Sequence, residues 1–80
     1  MKLYSIKDTK NKFMRPFEEV NNDMAIRTLK AIANDKNTQV GMFPEDFELW
    51  EIGTFNEETA ILESKVEFLT RAIDHVRKEK

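Results

Sequence analysis

The first eight residues alternate in polarity as a β-strand requires. Tyr4 and Ile6 fall on one face, and the residues between them fall on the other. The next stretch, residues 9–21, is polar, has no clear period and contains Pro16, although Phe13 and Phe17 give it apolar side chains that can pin it to a core. The pattern predicts a strand over residues 1–8 followed by an irregular, anchored loop.

A helical period comes next. Asn21 or Asn22 has the side chain of a helix N-cap, and the run Asn-Asp-Lys-Asn at 34–37 gives the helix a place to end. Between them the apolar residues follow the stripe of a helix that packs one face on a core. The stripe consists of Ala25, Ile26, Leu29, Ile32 and Ala33.

A second strand follows a turn at Pro44-Glu45-Asp46. From Phe47 to Thr54 the side chains alternate again, with Trp50 and Ile52 on one face. Because both faces carry apolar residues, we predict a central strand covered on both sides, by helices on one face and by a loop or a partner on the other.

The tail permits two interpretations. Ser64-Lys65-Val66-Glu67 has the spacing of a capping box, which predicts a helix from residue 64 and a third strand over residues 59–63. Alternatively, one long helix begins at about residue 57, because every residue from there tolerates a helix and the apolar residues keep a 4,3 spacing. Periodicity alone leaves both open.

These elements predict a single α+β domain over residues 1–80. The preferred order is βαββα, a three-stranded sheet covered by two helices; the alternative is a ββ sheet with one long C-terminal helix from about residue 57. Eighty residues build only a small core, so self-association would add stability. No apolar run is long enough to span a membrane, which predicts a protein without a membrane partner.

The composition limits the kinds of metal and catalytic site that the chain can form. The chain has no cysteine, which excludes disulfides, zinc-finger sites and thiolate catalysis, and it has a single histidine. Its carboxylates show no spacing typical of a calcium loop or of a magnesium site. We therefore expect no metal, no cofactor and no enzymatic activity.

Charge is distributed unevenly along the chain. Residues 1–16 carry five cations against Asp8 alone, a balance of +4 in a chain whose net charge is −2, so the remaining residues sum to −6. A basic segment on an otherwise acidic protein can bind a polyanion through that segment alone. It can also be ordinary solvated surface.

An ordered series of residues resembles a known family. The series begins with a short N-terminal strand that leads through Asp8 and Lys10 to Arg15-Pro16-Phe17. It continues through Asn21, Ala25 and Arg27, and it ends with the block from Pro44 to Trp50 and with Gly53-Thr54-Phe55. It is similar to the small nonstructural protein of gokushoviruses, single-stranded DNA bacteriophages of the microvirus group (Microviridae). The chain departs from that pattern after Phe55, where the usual acidic turn with a following glycine is replaced by residues 56–60, Asn-Glu-Glu-Thr-Ala.

The resemblance implies a DNA-binding protein that acts in viral genome replication or packaging in the host bacterial cytoplasm. Single-stranded DNA requires cations at phosphate spacing and aromatic rings on which bases stack. The candidate DNA-binding residues are Lys2, Tyr4, Lys7, Lys10, Lys12, Phe13, Arg15 and Arg27. The ordinary alternatives are that the two aromatic residues belong to the core and that Arg27 pairs with Asp23 on its own helix.

A second hypothesis is a non-enzymatic dimeric adaptor that binds a viral or host replication or packaging protein. Its predicted homodimer interface is the apolar stripe of the tail helix, which would otherwise cover its own sheet. The stripe consists of Leu62, Val66, Leu69, Ile73 and Val76. The acidic net charge favours this hypothesis, because DNA-binding domains are usually basic. Trp50 is either a core anchor or an exposed ring that stacks on a base or on a second copy.

Overall fold

The computed structural model describes residues 1–77 as an α+β fold. Its elements in chain order are β1 (Lys2–Asp8), β2 (Phe17–Glu19), α1 (Asn22–Ala33), α2 (Gln39–Met42), a 3-10 turn (Pro44–Asp46), β3 (Phe47–Phe55), β4 (Leu62–Arg71) and a second 3-10 turn (Ala72–His75). The predicted strand at the N-terminus, the helix after Asn21 and the strand after Pro44 are all confirmed.

The four strands form one antiparallel sheet in the order β2-β1-β3-β4. β3 therefore lies inside the sheet, as its two apolar faces predicted. Gly53 lies where the register shifts on both sides of β3, at φ 154°, and a Cβ there would stand 2.1 Å from the carbonyl oxygen of Glu63. Only glycine fits this crowded point of the sheet.

The helices pack on one face of the sheet. Asn21 caps α1 by accepting a hydrogen bond from the amide of Met24 at 2.9 Å. Along the predicted stripe of α1 the most deeply buried residues are Ala25, Leu29 and Ala33. They join Tyr4, Ile6, Val40, Phe47, Leu49 and Ala72 in the core. Within residues 1–77 the opposite face of the sheet carries no helix, and it is called the open face below.

Both predictions of a tail helix are wrong. Residues 62–71 form β4, which pairs with β3 along its length, and the third strand is not confined to residues 59–63. The capping-box spacing at Ser64 and the 4,3 spacing of the apolar residues are local patterns. The backbone hydrogen bonds that the neighbouring strand supplies outweigh these local patterns. Val66, Phe68 and Thr70 also have high β-propensity, which favours pairing with that strand.

The remaining differences concern short elements. The sheet has four strands rather than three, because Phe17–Glu19 pairs with the start of β1 inside the predicted loop. The second helix is the short α2, N-capped by Thr38, rather than a tail helix. The chain after β4 contributes only the 3-10 turn Ala72–His75. The predicted βαββα order is therefore replaced by ββααββ.

A hairpin loop joins β3 to β4 without the glycine of the family pattern. Asn56 organises residues 56–61: its side chain accepts hydrogen bonds from the amides of Glu58 and Thr59, and its carbonyl accepts one from Ala60 at 2.7 Å. Ala60 adopts a φ of 63°, the left-handed conformation that glycine normally supplies.

Candidate nucleic-acid interface

Alternation along β3 decides which side chains reach the open face. Phe47 and Leu49 are buried against α1, so Glu48 and Trp50 point the other way. The strand registers then place Ser5 of β1 and Phe68 of β4 in one row with Trp50 across the sheet.

Three aromatic rings form a cluster on this face. The centroid of Trp50 lies 5.6 Å from that of Phe13 and 5.7 Å from that of Phe68, with interplanar angles of 81° and 76°. These are edge-to-face contacts, a favourable geometry for paired rings. Phe13 remains 40% exposed and Phe68 45% exposed. The cluster therefore presents ordered aromatic surface to whatever contacts the open face.

Lys7 places a cation directly on this cluster. Its ammonium lies 5.4 Å from the centroid of Phe13 and 5.6 Å from that of Trp50, within cation–π distance of both rings. The registers put Lys7 in the next row, beside Phe13 and Glu48. The indole N–H of Trp50 donates to the Glu48 carboxylate at 3.0 Å, which fixes the orientation of the ring.

The loop between β1 and β2 supplies further cations. The amide of Met14 donates to the carbonyl of Ile6 at 2.8 Å, and the hydroxyl of Ser5 donates to the carbonyl of Met14 at 2.7 Å. These bonds hold the loop against the sheet and explain why a serine is buried. Within residues 1–77 the basic side chains of this loop form no ion pair, and all of them are exposed: Lys10, Lys12 and Arg15.

Two predicted DNA-binding residues lie on the helix side of the sheet. Tyr4 is fully buried, and its hydroxyl donates to the Asn22 side chain at 2.6 Å, so it is a core residue and cannot stack on a base. Burial, followed by the charges of Glu51 and Glu19, raises the pKa of Tyr4 above its ordinary value. Lys2 shares the strand face of Tyr4, and its ammonium lies 3.8 Å from Glu51.

Arg27 lies on the exposed side of α1, away from the open face. The ion pair with Asp23 predicted as its alternative role does not form within the described part of the chain. Of the eight predicted residues, the structure brings Lys7 and Phe13 into contact on the open face. Three others are exposed on the loop that carries Phe13: Lys10, Lys12 and Arg15.

Sequence reasoning missed Phe68 and left Trp50 undecided. Phe68 was assigned to a helix, and the signal that could have found it is the alternation of Val66, Phe68 and Thr70. Trp50 is not an anchor between sheet and helix. It lies on the open face, the position at which its alternative role applies.

The stripe predicted as a dimer interface is dispersed. Leu62 and Val66 lie on β4 and are exposed, whereas Leu69 and Val76 pack against the core. Ile73 lies in the second 3-10 turn. These five residues share no single face, because the helix that would have aligned them is a strand and a turn.

A buried carboxylate lies on the helix side of the sheet. Glu51 is 2% exposed and has Lys2 and Lys65 each at 3.8 Å, so its charge is compensated. Lys65 also lies 3.0 Å from Glu67, and this hydrogen bond, followed by the charge of Glu51, raises the pKa of Lys65. Within residues 1–77 no group of three acidic, histidine or cysteine side chains is arranged to hold a metal ion.

None of the helices described in residues 1–77 has the length and apolarity needed to cross a membrane. No curated protein and no solved structure matches this chain. A protein family described as Phage ORF5 protein matches residues 1–75, which is nearly the whole chain. This chain therefore belongs to the Phage ORF5 protein family of bacteriophage proteins.

Proposed function

We propose that this phage nonstructural protein binds single-stranded DNA on its open face and acts in viral genome replication or packaging. In this proposal the virus is a gokushovirus, the site of action is the host bacterial cytoplasm, and the protein is a binding protein rather than an enzyme. The observation that carries the proposal is the aromatic cluster of Phe13, Trp50 and Phe68 with the ammonium of Lys7 upon it.

The aromatic surface favours a single strand over a duplex. Bases of a single strand are free to stack on exposed rings, and such stacking contributes about 1–3 kcal/mol per base without sequence preference. Phe13 and Phe68 stand on either side of Trp50, so each can receive one base. In a duplex the bases are already stacked on each other, so no base face is free to stack on the aromatic rings.

The cations beside the cluster support phosphate contacts. Lys7 lies on the rings, and Lys10, Lys12 and Arg15 belong to the loop that carries Phe13. With about four phosphate contacts to a single strand, binding should weaken about 50-fold between 50 and 200 mM salt. Binding led by phosphates and stacking needs no base-specific hydrogen bonds, so we expect little sequence preference.

The test uses the single tryptophan of the chain, which lies in the proposed site. An oligothymidine strand is titrated at about 50 and 200 mM salt while anisotropy of a label and emission of Trp50 are followed. We expect saturable binding, quenching of Trp50 and the salt dependence given above. No binding at the lower salt concentration would overturn the proposal.

Matched variants locate the site. Lys10→Ala with Lys12→Ala removes two exposed charges from the loop that carries Phe13, and Arg27→Ala with Lys30→Ala removes two exposed charges from α1. We expect the first pair to weaken binding about tenfold and to lower the salt slope, and the second to leave both nearly unchanged. Equal losses in both pairs would mean that the open face is not the site.

Binding to a viral or host protein is the second candidate function, favoured by the acidic remainder of the chain, whose charge sums to −6. An acidic body repels nucleic acid away from the basic loop. If the oligonucleotide fails to bind at low salt, this adaptor function becomes the better account of the protein.

A further inference from the structure

We propose that two copies of this protein pair through residues 62–66 of β4, antiparallel and about a two-fold axis at Ser64, to form one continuous sheet. β4 is an outer strand, and within residues 1–77 nothing pairs with its outer edge. An unpaired strand edge is a template for another strand. The partner is identified by the side chains of β4 itself.

The charges of β4 complement those of a second copy. Glu63, Lys65 and Glu67 alternate along one face of the strand, and antiparallel pairing about Ser64 places Glu63 of one copy opposite Lys65 of the other, twice. Glu63 forms no ion pair inside residues 1–77, so this contact gives it its first partner.

The apolar side chains agree with the same register. Leu62 is 66% exposed and Val66 is 68% exposed, and both lie on the face of the strand opposite to the charged residues. Pairing about Ser64 places Leu62 of each copy opposite Val66 of the other, so both exposed side chains are covered. At the axis itself two serines meet, and their small side chains allow a close approach.

Other registers and other strands fit less well. An axis at Lys65 would oppose lysine with lysine and Glu63 with Glu67, and both contacts are repulsive. An axis at Val66 would set Lys65 opposite Glu67, but these two residues already form an ion pair within each copy. That axis would also leave Glu63 without a charged partner and would place Leu62 opposite Thr70. A foreign strand without a cation opposite Glu63 would leave that carboxylate without a partner, which is how natural edge strands reject unspecific pairing.

The dimer would also affect DNA binding, a consequence that rests on the function proposed above. A two-fold axis perpendicular to a sheet keeps the same face of both copies on the same side. The two aromatic clusters and their lysines would therefore lie on one surface of an eight-stranded sheet. Such a dimer offers a single strand twice the number of phosphate contacts.

Single cysteines test the register, because the chain has no cysteine of its own. Ser64→Cys places two thiols at the axis, where facing Cα atoms stand about 4.5–5.5 Å apart and a disulfide can close. Val66→Cys is the control: its two copies would lie about 13 Å apart along the strands. Under mild oxidation we expect a covalent dimer from the first variant and a monomer from the second. The reverse result, or no crosslink from either, overturns the proposal.

Charge exchange tests the contact itself. Sedimentation velocity at about 5 and 200 µM protein should show a dimer that forms with concentration. Glu63→Lys places two pairs of like charges across the axis and should weaken the dimer about tenfold, while Glu63→Lys with Lys65→Glu should restore it. An unchanged dimer in the single variant, or a wild-type monomer at the higher concentration, overturns the proposal. Neither experiment contains DNA, so failure of the proposed function leaves these results unaffected.

Discussion

At the scale of single residues, the sequence does not predict the backbone conformation of the β3–β4 loop. Ala60 holds a φ of 63° in the β3–β4 loop, at the point where the family pattern has a glycine nearby. The absence of that glycine favours the interpretation of the tail as one long helix. The loop forms nevertheless, because the side chain of Asn56 and the strand pairs on both sides hold it closed.

Ala60→Gly should stabilise the protein. A left-handed conformation costs a residue with a Cβ about 1–2 kcal/mol, and glycine avoids this while losing somewhat more chain entropy on folding. We expect the free energy of unfolding in urea to rise by about 0.5–1 kcal/mol.

Thr59→Gly is the control for this prediction, because Thr59 does not belong to the positive-φ residues of the described chain. It should lower stability or leave it unchanged. A loss of stability in Ala60→Gly would show that the loop does not hold the left-handed conformation in solution.

At the scale of elements, α1 can be predicted from its own residues, whereas β4 depends on its pairing with a neighbouring strand. The cap at Asn21, the buried stripe and the end of α1 at Ala33 with its C-cap Asn34 all lie within residues 21–34. Local patterns therefore predict this helix well. β4 has local patterns that favour a helix, and it becomes a strand because β3, to which a short hairpin loop joins it, offers hydrogen bonds across the sheet along its length.

Asn21→Ala tests the local stabilisation of α1. The change removes the side-chain oxygen that accepts the amide of Met24, and loss of such a cap lowers stability by about 1 kcal/mol. Urea denaturation followed by circular dichroism measures the effect. Asn37→Ala, an exposed position after the helix, is the matched control and should change stability by less than about 0.5 kcal/mol. Equal effects in the two variants would contradict the assignment of the cap.

At the scale of the whole molecule, Asn34 ties the C-terminal segment to α1. Its side-chain amide donates to the carbonyl of His75 at 3.1 Å, and its side-chain oxygen accepts the amide of Arg77 at 2.7 Å. Ala72 and Val76, on either side of His75, reach the core. The chain's last described segment thus closes the same side of the sheet that α1 covers.

Asn34→Ala should loosen this closure. Both bonds to the C-terminal segment are lost, so we expect the amides of Val76 and Arg77 to lose protection in hydrogen exchange and overall stability to fall by about 1–2 kcal/mol. Lys36→Ala, an exposed change close to the same helix end, should alter neither quantity. Unchanged exchange in Asn34→Ala would mean that the core contacts of Val76 alone hold the segment.

The sequence by itself determined β1, α1 and β3 and the basic loop that follows β1, because alternation, caps and charge are recorded within short windows. It also identified Lys7 and Phe13, which the structure brings into contact on the open face. Only the tertiary structure decided that Tyr4 is buried, that Trp50 faces away from the helices, and that Phe68 joins it. These facts depend on which strands pair with β3 and on which face α1 covers. The pairing of β1 with β3 and the packing of α1 join residues far apart in the chain, and β4 is decided by hydrogen bonds across the sheet rather than by its own residue spacing.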